Sequence, residues 1–89
     1  GNDKAALNRR LKRIEGQVKG IQKMIEDDRY CVDILVQISA IRSAIDNVGT
    51  IILENHIKGC VSNDLKYGDE EQSEAAIKEL MDTIKKFTK

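Results

Sequence analysis

A single unbroken seam of apolar residues constrains this chain most. Cys31, Ile34, Ile38, Ile41, Ile45, Val48 and Ile52 recur at alternating intervals of three and four residues. That spacing puts them along one line of an α-helix and excludes a strand, whose faces alternate every second residue. The segment predicted from it, about residues 29–62, is about 50 Å long at 1.5 Å per residue. In a chain of 89 residues, two shorter companions cannot cover a helix of that length. The simplest cover is a second copy of itself.

Two flanking segments carry the same periodicity. Leu7, Leu11, Ile14, Val18, Ile21 and Ile25 define a first amphipathic helix, with Asn2 or Asp3 as candidate caps. Glu26-Asp27-Asp28 suits the start of the next helix better than the end of this one, so the break is placed there. Ile77, Leu80, Met81, Ile84 and Phe87 define a third helix from about Ser73 to Phe87. Its acids come early (Glu74, Glu79) and its bases late (Lys85, Lys86, Lys89), which complements the helix dipole. Asp64 to Glu71, with Gly68 inside, reads as the connection before it. The expectation is an all-α, three-helix protomer forming one domain over residues 1–89. The absence of proline and tryptophan and the 34% charged residues agree with it.

No apolar run approaches the roughly 20 residues that span a bilayer, and no signal peptide is visible, so the expected location is the cytoplasm, with no membrane partner. Net charge is zero but unevenly spread. Residues 1–24 carry seven bases (Lys4, Arg9, Arg10, Lys12, Arg13, Lys19, Lys23) against two acids, a net of +5, and the rest carries −5. Such a helix suits a polyanion. Arg9, Arg13, Gln17 and Lys23 lie near one line, flanked by Arg10, Lys12 and Lys19. Gln17 is able to bond a phosphate or a base edge. The plainer reading is an ordinary solvated face, and no helix-turn-helix signature is present.

The chemistry lies in three residues. His56 and Cys60 are four apart, on one face of a helix. Cys31 precedes Cys60 by 29 residues, about 43 Å of continuous helix, so the two thiols can act together only across an antiparallel pair of chains. Thiolates with an imidazole suit Cu(I) or Zn(II). Three donors satisfy Cu(I), whereas structural zinc takes four. Against this, Cys31 lies on the seam and reads equally as a small core residue. Tyr30 is a candidate for bonding a ligand of the site, and Glu71 or Glu74 for reaching the imidazole N–H of His56. With one histidine, no nucleophile–base pair and no glycine-rich phosphate loop, the chain is not expected to be an enzyme.

The run Arg10-Leu11-Lys12-Arg13-Ile14-Glu15-Gly16-Gln17-Val18-Lys19-Gly20-Ile21, the run Arg29-Tyr30-Cys31-Val32-Asp33-Ile34-Leu35-Val36-Gln37-Ile38-Ser39-Ala40, and His56-x-x-x-Cys60-Val61 together resemble the CsoR/RcnR family, in particular its copper-sensing members. The closing Lys85-Lys86-Phe87-Thr88-Lys89 fits as well. The resemblance implies an antiparallel dimer forming a four-helix bundle, assembled into a tetramer as a dimer of dimers. It implies a repressor that binds operator double-stranded DNA when metal-free and releases it on binding Cu(I), derepressing efflux genes. Cys31 of one protomer with His56 and Cys60 of the other would hold Cu(I). Arg10, Arg13 and Gln17 match the family's DNA-binding positions, Tyr30 matches a tyrosine beside the metal, and a glutamate is expected at the start of the third helix, where the spacing differs from the family's.

Three alternatives stand beside this reading. One is a persulfide or thiol-redox sensor using Cys31 and Cys60. Another is a nickel sensor, whose extra N-terminal ligand would fall just before residue 1. The last is a helical oligomer with no DNA role. The histidine between the cysteines favours Cu(I).

Overall fold

The structure is a computed structural model that describes the backbone of residues 2–89 and the side chains of residues 4–89. The expected cap at Asn2 or Asp3 lies outside the described side chains. Helix α1 spans Asn2–Glu26, α2 Cys31–His56, α3 Ser62–Tyr67 and α4 Glu70–Phe87, with a π-turn at Ile57–Val61 joining α2 to α3. The helical run from Cys31 to Tyr67 is therefore continuous, and the described residues form three helical stretches with no strand. No helix among them is long and apolar enough to cross a membrane. The chain divides into two compact units, Gly1–Val48 and Gly49–Lys89.

In the first unit, α1 ends where the acidic cluster predicts. The Asp28 N–H donates to the Ile25 carbonyl and the Arg29 N–H to that of Met24. This paired closure places Asp28 in the left-handed region, at φ 52°. Aspartate tolerates that conformation better than most residues. The Tyr30 carbonyl then accepts from the N–H groups of Asp33 and Ile34, starting α2.

The apolar stripes divide by heptad position. In α1, Ile14 is buried and Leu7 and Ile21 half-buried, while Leu11, Val18 and Ile25 are exposed. In α2, Ile34 and Ile41 are half-buried and Val48 buried, while Cys31, Ile38, Ile45 and Ile52 are exposed. A stripe repeating at three and four residues is wide enough for two neighbours, and one chain supplies only one. Among the described residues only Ile14, Val48 and Val61 are buried apolar side chains.

In the second unit, the connection before α4 is shorter than the sequence reading places it. Residues 64–67 are helical and α4 begins at Glu70, leaving only Gly68 and Asp69 between helices. A capping box explains the early start. The Asp69 carboxylate accepts from the Gln72 N–H at 2.8 Å, and Gln72 Oε1 accepts from the Asp69 N–H at 2.9 Å. Gly68 is extended, and a Cβ there would lie 2.5 Å from the Asp64 carbonyl oxygen. Its small size, not a left-handed backbone, makes the turn. Ser73 Oγ donates to the same Asp64 carbonyl at 3.2 Å, tying α4 to α3.

Candidate metal and nucleic-acid sites

His56 closes α2. It is half-buried and lines an apolar groove with Gly49, Ile52, Leu53, Glu79, Thr83 and Phe87, all within the second unit. Helical spacing builds both walls. Gly49, Leu53 and His56 succeed one another at four and three residues along α2, and Glu79, Thr83 and Phe87 at four along α4. The two walls run antiparallel, because Gly49 meets Phe87 at one end and His56 shares the groove with Glu79.

Glu79, which the sequence reading did not single out, is the acidic residue that lines the same groove as His56. Glu71 is exposed in the first turn of α4. Glu74 lies in a different, shallow groove with Ile77, Lys78, Met81, Asp82 and Lys85. Residues 74 and 79 are about 140° apart around a helix, so one face cannot present both. The available signal was the four-residue line from Glu79 through Thr83 to Phe87.

Cys60 lies in the π-turn with its thiol exposed and free. Cys31, in the first unit, is also free and exposed at the first position of α2. Tyr30 is 66% exposed beside it. Among the described residues of one chain, no group of three His, Cys, Asp or Glu side chains gathers as a metal site. The donors nevertheless suit a soft cation: two free thiols and one imidazole with a carboxylate in the same groove.

On α1, Arg9, Arg10 and Arg13 converge around Ala6. Arg10, Arg13 and Gln17 continue into a groove closed by Ile14 and, from α2, Ala44 and Asn47. Gln17 is half-buried, and its Oε1 is buried without a hydrogen-bond partner. Lys12 is exposed. Lys19 Nζ lies 3.7 Å from Glu15 Oε1 and Lys23 Nζ 3.6 Å from Asp27 Oδ2. Of the candidate bases, the arginines with Gln17 thus form the compact group, and the two later lysines are each paired with a neighbouring acid.

Residues 3–86 match the model of a family described as metal-sensitive transcriptional repressor. The chain belongs to this family. It is 59% identical to the copper-sensing transcriptional repressor CsoR of Bacillus subtilis, over 98% of this chain and 83% of that protein. It is 43% identical to the repressor of the same name from Mycobacterium tuberculosis, over 92% of this chain and 66% of that longer protein. Among solved structures it is similar to the Cu(I)-bound copper-sensing repressor CsoR of Geobacillus thermodenitrificans, with a TM-score of 0.85 and 53% identity over 96% of this chain and 85% of that one. The all-α family fold expected from the sequence is the one observed.

Proposed function

We propose that this chain is a cytoplasmic, non-enzymatic, Cu(I)-responsive transcriptional repressor, acting as one metal-sensing and DNA-binding domain over residues 1–89. The Cys31, His56 and Cys60 donor set carries the reading. These residue types suit Cu(I), and no such group assembles among the described residues of one chain. Cys31 of one protomer with His56 and Cys60 of its partner would complete it. The exposed heptad positions Cys31, Ile38, Ile45 and Ile52 on α2, with Leu11, Val18 and Ile25 on α1, support an antiparallel pairing that covers them. Two such dimers would form the tetramer and present four basic faces to operator DNA.

When bound, Cu(I) supplies a soft link between thiolates and imidazole of two chains. The remaining work belongs to the protein. Were one ring nitrogen of His56 to hold the metal, the other would be available to the Glu79 carboxylate in the same groove, which would orient the imidazole. Glu79 is carried by α4, so orienting the ring also positions that helix. Arg9, Arg10 and Arg13 supply phosphate contacts, and Gln17 offers an amide beside them. If occupying the metal site weakens DNA binding, DNA weakens metal binding by the same factor.

The test is an anaerobic Cu(I) titration against a competing chelator, followed by binding to the region upstream of the protein's own operon. His56→Ala should abolish Cu(I)-driven release while leaving release by sulfane sulfur largely intact. Normal Cu(I)-driven release by that variant, or release by Ni(II) in preference to Cu(I), would overturn the reading.

A further inference from the structure

The helical run that carries His56 and Cys60 departs from regular α-helix at Ile57–Val61. At the end of this turn, the Ser62 N–H donates to the carbonyls of Ile57, five residues back, and Gly59, three back, passing over that of Lys58. One π-turn amounts to one extra residue accommodated inside an α-helical run. In a regular α-helix seven residues return to almost the same face, short by about 20°. Gly59 would then succeed exposed Ile52 on that face, and Cys60 would lie roughly 80° away from Ile52. The extra residue hands the place of Gly59 to Cys60. The inner face is shifted in the same way. Half-buried His56 is succeeded by buried Val61 at five residues, one π-turn on. The π-turn packs against α4.

We propose that this π-turn is a register device: it sets Cys60, rather than Gly59, on the face of Ile52 while keeping Val61 in the interior. The thiol thereby emerges where a second chain would cover the helix. The geometry stands by itself; its consequence for Cu(I) rests on the function proposed above. A simpler account, that any histidine and cysteine four residues apart suffice, predicts instead that shortening this spacing by one residue abolishes binding.

Deletion of Lys58 separates the two. It shortens the spacing from His56 to Cys60 by one residue but closes the π-turn to an α-turn, leaving the residues after it in register. The metal-free deletion variant should stay helical and melt within about 10 °C of wild type. In a regular helix the deletion would turn Val61 about 100° out of the interior, and a larger drop in Tm would overturn the proposal. The deletion variant should also hold Cu(I) within about tenfold of the wild-type affinity. The combined variant Gly59→Cys with Cys60→Gly, which moves the thiol without changing composition, should lose about 100-fold or more at unchanged Tm. Wild-type affinity in that variant, or a loss beyond tenfold in the folded deletion variant, also overturns the proposal. If the wild type takes up no Cu(I), the functional reading fails, and the melting of the deletion variant still decides the register.

Discussion

The ring of Phe87 lies against the bare backbone of Gly49: a Cβ at that glycine would fall 2.5 Å from Cε1 and 2.6 Å from Cζ of the ring. This contact registers α4 on the end of α2. His56 lies seven residues after Gly49, and Glu79 lies eight before Phe87. On antiparallel helices those steps are nearly equal lengths, about 10–12 Å, so seating the ring on the glycine brings the carboxylate into the groove of the histidine.

Gly49→Ala should therefore destabilise the protein. Alanine gains roughly 0.5–1 kcal/mol of helix propensity, but overpacking against the ring costs about 1–3 kcal/mol. The net effect is a lower Tm in a thermal melt, relieved by the second change Phe87→Leu. A rise in Tm for the single variant would mean that the ring does not seat there.

Glu79→Gln should weaken Cu(I) binding by about 10–100-fold, the usual cost of losing the partner that orients a ligating histidine. Glu74→Gln, on another face of α4, should bind as the wild type does. Chelator competition on the two variants checks both, and the reverse order would move the role to Glu74.

Arg13→Ala should weaken operator binding and lower the slope of log K against log salt by about one, as expected for one lost phosphate contact. Gln17→Ala should weaken binding with less change in that slope, because it removes no charge. Lys19→Ala should change affinity least, since Lys19 is paired with Glu15. Fluorescence anisotropy over a range of salt concentrations would distinguish the three.

Ile45→Glu should leave each chain helical yet prevent dimerisation, because Ile45 is 44% exposed in the single chain and a charge there opposes only the covered state. Sedimentation should show monomers, with Cu(I) binding lost alongside. A variant that remains tetrameric would place the interface elsewhere.

Asp69→Ala should lower stability by about 1 kcal/mol through loss of the capping box, a fall of about 4–8 °C in Tm for a domain of this size. Asp69→Asn should recover most of it. An unchanged melt for the alanine variant would show that α4 does not depend on this cap.

Much of the protein was legible in its residues because much of it is local. Helical periodicity located the three helical stretches, the acidic cluster at 26–28 located the first turn, and the charge imbalance picked out the basic face of α1. Cys31, His56 and Cys60 stood out as candidate donors from residue type and spacing, beside a plainer reading of Cys31 as a seam residue. The short connection at Gly68–Asp69 was missed, because Asp69 and Gln72 reveal a cap only when each is seen bonding the other's backbone.

What the tertiary structure decided is non-local. A stripe shows that a helix has an apolar face but not which neighbour covers each part of it, so only the packed chain separates Ile34, Ile41 and Val48 from exposed Ile38, Ile45 and Ile52. Glu79 became the partner candidate for His56 through the seating of Phe87 on Gly49, a contact between residues 38 apart in sequence. The π-turn could not be read from spacing at all: an extra residue in a helix is visible only in which carbonyl the Ser62 N–H reaches.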